Sequence, residues 1–294
     1  MLWYEEWAKE HAEEYNKNHA GFYAEPSTRD LPPFPIADDL YYVGDKMVCI
    51  HLIRTDEGLI LLDAGYPSAK HLLMASILRL GFQPEDVRWI ILTHAHHDHY
   101  GAANEFRRLY GTKVALSAVD AASMREKPAR AYASTNVAQK LPVIDHELQD
   151  GEIFSFGGKN IRCVLTPGHT LGTMSFFFDV TYEGNTYHAG LFGGAGVSPM
   201  KLPSMLHYEM PLDMPQRMLA SLDAVKDEPV DIHLGNHPHN NNTVGRREKQ
   251  LSEGGNPFIK ATTWPNFLAN LRQKTEKIMA ENAESAKEHG IELP

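Results

Sequence analysis

Cysteine is nearly absent, with only Cys49 and Cys163 in 294 residues. Each sits in an apolar run, Met47-Val48-Cys49-Ile50 and Ile161-Arg162-Cys163-Val164-Leu165. This predicts buried, inert thiols rather than a disulfide or a redox pair. Basic residues are also in short supply: 28 Lys and Arg against 38 Asp and Glu give a formal charge of −10. A surface for nucleic acid needs a concentrated basic field, so no nucleic-acid partner is expected. A small anionic substrate stays open, because a bound metal would supply positive charge locally. The start, Met1-Leu2-Trp3-Tyr4-Glu5-Glu6-Trp7, lacks the basic and apolar regions of a secretory signal peptide. No apolar run approaches the ~20 residues of a membrane helix. The expectation is a cytoplasmic chain with no membrane partner. No G-x-x-x-x-G-K-[ST] order, no nucleophile elbow, no short-period repeat and no low-complexity segment occurs.

What is present reads as a globular protein with a sizeable core, since hydrophobic residues make up 43% and charged residues 22%. Apolar runs at 40–43, 47–53 and 59–62 predict a meander of strands, turned at Gly44-Asp45 and Asp56-Glu57-Gly58. Helical spacing follows at 68–80, where Leu72, Leu73, Ile77 and Leu80 share a face. Further strands are expected at 87–92, 113–116, 161–166, 173–179, 186–191 and 230–234, with helices at 101–110 and 214–226. Strands and helices mix in both halves and no linker divides them. The expected architecture is α+β, two packed sheets flanked by helices in one domain over 1–294. Helical extensions are expected at 2–18 and 265–287, packed on the body or on a partner subunit rather than touching a substrate. Oligomeric state is not legible.

Four of the 16 histidines fall between positions 94 and 99, in His94-Ala95-His96-His97-Asp98-His99 at the end of an apolar strand. Neutral imidazole is the commonest zinc ligand, and a catalytic zinc takes three protein ligands and keeps one position for water. His94 and His96, two apart on a turn, can aim at one ion. Asp98 and His99 can turn to a second. Further ligands are expected at other strand ends. Gly168-His169-Thr170 follows the run at 161–165, and Asp231-Ile232-His233-Leu234-Gly235-Asn236-His237-Pro238-His239 follows another.

His94-x-His96-x-Asp98-His99, then Gly168-His169-Thr170, then a late histidine, resembles the metallo-β-lactamase superfamily over most of the chain. Asp63 in Leu62-Asp63-Ala64-Gly65 matches that family's early strand-end aspartate. The resemblance implies a four-layer αββα sandwich of two mixed sheets. It also implies two zinc ions, one held by His94, His96 and His169, the other by Asp98, His99 and His237. His237 precedes a proline in a loop and is preferred to His233, which lies in an apparent strand; His239 is a weaker rival. Asp63 and His97 would support the ligands, Asp63 by hydrogen bonding.

One departure narrows the resemblance. Many members bridge the two metals with an aspartate where this chain reads Tyr187-His188-Ala189-Gly190-Leu191, and neither Ala189 nor Gly190 can ligate. His188 lies close by, with a packed or solvated ring the first reading and a compensating ligand the second. No cysteine stands at the position of the cysteine-containing enzymes either. The pattern is similar to the third metallo-β-lactamase subclass, with its histidines, one aspartate and no bridge. The histidine at position 96, where iron-binding relatives carry glutamate, favours zinc.

The implied activity is hydrolysis of a small molecule, a cyclic amide such as a β-lactam, by water activated at the metals. Asp98 would orient the water or relay its proton, and Tyr208 would donate to the oxyanion or simply wall the site. Substrate contacts are expected from His207, Asn240 and Asn241, with Gly193-Gly194-Ala195-Gly196 as a flexible stretch nearby. A lactonase or esterase using the same ligands is the first alternative, and a non-catalytic zinc-binding protein the second.

Overall fold

The computed structural model describes residues 2–132 and 140–294. It opens with a long helix, α1 (Trp3–Ala24), which runs six residues past the expected end at 18. The expected meander follows as β1 (Phe34–Pro35), β2 (Leu40–Tyr42), β3 (His51–Thr55) and β4 (Gly58–Leu62), paired antiparallel in chain order. β3 starts at His51 rather than at 47. The reason is Asp45, whose Oδ1 accepts from the N–H groups of Met47 and Val48 and folds that stretch into a turn.

Beyond β4 the sheet grows by parallel crossovers. Helix α2 (Lys70–Arg79) leads to β5 (Val87–Ile91); α3 (His97–Tyr100) and α4 (Ala103–Tyr110) lead to β6 (Lys113–Ser117); α5 (Ala118–Glu126) precedes β7 (His146–Leu148). Among the described residues these make one seven-stranded sheet, in the order β1 to β7. A second sheet holds β8 (Ile153–Phe156), β9 (Lys159–Leu165), β10 (Met174–Tyr182), β11 (Asn185–Leu191) and β12 (Ile232–Leu234), antiparallel except that β12 runs parallel to β11. Its helices are α6 (Leu202–His207), α7 (Met214–Val225), α8 (Pro238–Asn241), α9 (Thr243–Glu253) and α10 (Thr263–His289).

Alternation in β4 explains the layers. Ile60 and Leu62 point into the sandwich against Ile161, Cys163, Phe176 and Leu191 of the other sheet. Leu59 and Leu61 point outward under Leu73, Ile77 and Phe106 of the covering helices. A strand buried on both faces must be apolar at every position, hence the run Leu59-Ile60-Leu61-Leu62. On the far side α7 and α10 cover the second sheet through Met218, Leu222, Trp264 and Leu268. Each such side chain, fully buried, contributes about 1.5–3 kcal/mol. Both cysteines are buried and unpaired, and burial pushes both thiols up to about 12. No helix of the described residues is long and apolar enough to cross a membrane.

Candidate metal centre

Parallel strands bring their C-terminal ends to one edge of the first sheet, and each delivers a polar group there. β4 ends at Asp63, whose φ of +65° is a left-handed conformation that non-glycine residues rarely adopt. Its Oδ1 accepts from the Thr93 N–H at 2.8 Å, and its Oδ2 lies 2.9 Å from the Thr93 hydroxyl and 2.7 Å from His99 Nδ1. β5 leads through Thr93 into His94-Ala95-His96 and then α3. β6 leads into α5, where the buried Asp120 accepts from the Ala95 N–H at 2.8 Å, the Gly172 N–H at 2.7 Å and the Thr170 hydroxyl at 2.8 Å. Burial pushes the Asp120 carboxyl upward against the pull of these donors.

The second sheet meets the same edge. β9 runs into Thr166-Pro167-Gly168-His169, β12 into Gly235-Asn236-His237, and β11 into the glycine-rich stretch at 192–196. Backbone bonds tie the two sheets there, from the Met174 N–H to the Thr93 carbonyl and from the Cys49 N–H to the Asn236 carbonyl.

Ring orientation is set from behind. Nδ1 of His94 lies 3.0 Å from the Gly193 carbonyl, Nδ1 of His169 2.7 Å from that of Gly196, and Nδ1 of His237 2.6 Å from that of Met47. A carbonyl only accepts, so these Nδ1 atoms are N–H donors and each Nε2 is left with its lone pair. The stretch at 193–196 is therefore a support for two histidines rather than a flexible loop.

The six expected ligands fall into two groups. One ligand atom each from His94, His96 and His169 lie within 4.8 Å of one another, and so do those of Asp98, His99 and His237. The groups adjoin, with the rings of His94 and His99 4.1 Å apart. Two nitrogens bound tetrahedrally to one zinc at ~2.0–2.1 Å would sit about 3.3 Å apart. His96 Nδ1 and His169 Nε2 are 3.0 Å apart.

Donor chemistry fits a metal. His94 Nε2 is buried with no hydrogen-bond partner among the described residues. Burial holds His94 and His96 well below the ordinary imidazole range and His169 down to about 4. These rings are neutral at neutral pH and need lose no proton to ligate. The second group carries more negative charge. Burial opposes a charge on His99, but Asp98 and Asp63 beside it push its pKa up to about 10. Asp98 Oδ2 stands 3.4 Å from His99 Nε2 and 3.7 Å from His237 Nε2. A metal bound beside Asp98 would displace the His99 proton, after which His99 and His237 could each offer Nε2 next to the Asp98 carboxylate.

The remaining expected residues lie elsewhere. His97 is buried with its ring edge-on to Tyr66 at 5.5 Å. His188 faces outward, its Nδ1 on Asp179 Oδ1, away from both ligand groups. His233 is packed between Trp264 and Phe267, and His239 is exposed with its ring stacked 5.7 Å from that of His237. Asn240 Oδ1 accepts from the His237 N–H, while Asn241 is buried, donating to the His233 carbonyl and accepting from Thr243. Asn240 thus supports the backbone of His237, and Asn241 ties the end of β12 to Thr243. His207 pairs with Glu5 of α1. Tyr208 lines a recess whose wall also includes His96 and His169.

The N-terminal helix packs on the body and also lines part of that recess. Trp7, Ala8 and His11 of α1 form part of its wall, together with Met124, Leu171 and Met210. Further along, the Tyr15 hydroxyl lies 3.0 Å from that of Tyr66. Asp120 was not expected either. Its one sequence signal is position, as the carboxylate that follows the C-terminal end of a strand beside β5.

Comparison with known proteins agrees with this geometry. The family model of the metallo-beta-lactamase superfamily matches residues 43–181. A hydroxyacylglutathione hydrolase of Acidiphilium cryptum is 32% identical over 90 residues, 31% of this chain and 30% of that protein. The match thus spans about a third of that relative's length. Among solved structures, the native FEZ-1 metallo-beta-lactamase of Legionella gormanii aligns with a TM-score of 0.79 at 25% identity, over 87% of this chain and 98% of that one. BJP-1, a subclass B3 metallo-beta-lactamase of Bradyrhizobium japonicum, aligns at 0.78 and 24% identity, over 88% and 97%. The matched segment carries five of the six grouped side chains, so residues 43–181 are similar to the metallo-beta-lactamase superfamily, and the fold as a whole is similar to that of solved metallo-beta-lactamases.

Proposed function

We propose that this chain binds two zinc ions, one at His94, His96 and His169 and one at Asp98, His99 and His237, and hydrolyses a small acyl compound, a cyclic amide of the β-lactam type being the first candidate. The observation that carries the reading is the convergence of six ligand side chains from both sheets into two adjoining groups. Bound zinc would polarise the substrate carbonyl and bring the pKa of water toward ~7.

The protein's own residues do the rest. Gly193, Gly196 and Met47 hold three imidazoles by Nδ1, so the ligand nitrogens stay aimed without reorganisation. Asp63 and Asp120 lock the turn at 93–99 from its two sides. Asp98 Oδ2, between His99 and His237, is placed to take the proton of the attacking water. Burial raises the Tyr208 phenol to about 12, so it stays protonated at neutral pH and can donate to the oxygen that becomes negative.

An ester, lactone or thioester is the second candidate. The narrow recess beside His96 and His169 favours it, being better matched to a slender acyl group than to a fused bicycle.

The test is to count zinc per chain and to assay a chromogenic cephalosporin, simple lactones and an acyl thioester, with His96→Ala as control. Two zincs, and turnover that falls at least about a hundredfold in His96→Ala, are expected. Zinc without turnover of any substrate would make this a binding protein, and a chain that takes up no metal would overturn the reading.

A further inference from the structure

Helix α1 roofs the recess beside the metal centre and is fastened along its length. Trp3 stacks on His289 of α10 at 3.9 Å, Glu5 pairs with His207 of α6, and Tyr15 meets Tyr66. Between these anchors, Trp7 and His11 stack on each other at 4.8 Å, and Ala8 is buried under the helix. Only about 50 Å³ of the recess is wide enough for the centre of a water molecule. It is a slot rather than a bowl.

Its lining is mostly apolar, and the one guanidinium in the wall is already engaged. Arg130 donates through Nε to the Tyr208 carbonyl, through Nη2 to the Glu209 carbonyl and through Nη1 to Ser123. An anionic group would find no open partner in that residue. Burial and the nearby Lys201 also lower the pKa of His11, which leaves its ring uncharged at neutral pH. His96 and His169 belong to the same wall, so whatever fills the slot lies beside two members of the three-histidine group.

We propose that this slot is the acyl-side specificity pocket, and that the α1 roof, with Trp7 and Ala8 as its determinants, selects substrates whose carbonyl carries a short, uncharged, unbranched alkyl group. The assignment rests on the hydrolytic reading above for its chemistry but not for its binding. Each methylene buried in such a slot adds about fourfold in affinity or kcat/KM until the slot is full.

The experiment uses the zinc-loaded full chain and two readouts. The first is kcat/KM for 4-nitrophenyl acetate, butyrate, hexanoate and octanoate. The second is calorimetric binding of acetamide, butyramide and hexanamide, which need not turn over. Both should rise about fourfold per methylene to a length optimum and then, for the esters, fall by octanoate. Trp7→Ala should move the optimum to longer chains by at least two carbons, and Ala8→Leu should move it to acetyl, with zinc content unchanged in both. A flat amide series, or an optimum that neither variant moves, overturns the pocket whatever the turnover. Amide binding that follows chain length and shifts with the variants, without hydrolysis of any ester, upholds the pocket and sinks the hydrolytic reading instead.

Discussion

Neither ring nitrogen of His233 has a hydrogen-bond partner among the described residues, and the imidazole lies 4.4 Å from the ring of Phe267. Burial, helped by nearby Arg246, pushes its pKa down to about 3. The folded protein keeps this ring neutral while the unfolded chain protonates it below about 6.5. The unfolded state therefore binds more protons between pH 6.5 and 3, and stability must fall as pH falls through that window. The contribution is fully present above 6.5 and lost toward 3, at up to about 1.4 kcal/mol per pH unit. His233→Phe removes the titrating group. In denaturant unfolding at pH 7, 6, 5 and 4, the variant should lose stability less steeply than the parent by about that amount. Parallel curves would mean that His233 is not held neutral.

At the scale of elements, the stretch at 192–196 shows how one piece of chain governs side chains from two others. Its carbonyls orient His94, which follows β5, and His169, which follows β9. Glycine is needed for contact. A Cβ at Gly194 would stand 2.7–2.8 Å from His169 side-chain atoms, and that ring would have to leave its place. Gly194→Ala should therefore weaken zinc at the three-histidine group by about 10–100-fold in chelator competition. Stability of the metal-free protein should change little, within about 1 kcal/mol. Equal zinc affinity in variant and parent would show that His169 does not depend on this support. Helix α1 acts in a similar way. Its Trp7 and His11 line the recess beside His96 and His169 although they stand more than 80 residues before His94.

Across the whole molecule, each ligand group straddles both sheets. His94 and His96 leave the first sheet and His169 the second; Asp98 and His99 leave the first and His237 the second. Any ion bound there cross-links the sandwich at one end and stabilises only the folded chain. At a free zinc concentration a thousandfold above the dissociation constant this is worth about 4 kcal/mol. For a chain of this size that corresponds to a shift in Tm on the order of 10 °C. Calorimetry with and without a strong chelator should show a drop of that order in the parent, and almost none in a His96→Ala, His237→Ala double variant. An unchanged parent Tm would remove the metals from the stability of the fold.

The histidine run stood out because four histidines in six positions at a strand end have a local chemical meaning that needs no partner. Pro167-Gly168-His169 stood out for the same reason, while β4 declared itself as a short unbroken apolar run and α10 through helical periodicity, both properties of neighbouring residues. β7, β8 and α9 were not read, since short strands and a charged helix carry little apolar pattern. The start of β3 was misplaced because the turn at Asp45 interrupts an unbroken apolar run. Tertiary structure alone decided the rest. Asp120 looks like any aspartate early in a helix until the sheet sets it beside Ala95 and Gly172. The carbonyls of Met47, Gly193 and Gly196 have no side-chain identity to read. The roof over the slot exists only because α6 and α10 fix where α1 lies. Residue chemistry and short-range spacing belong to the chain itself, whereas which distant groups meet depends on how two sheets and their helices pack.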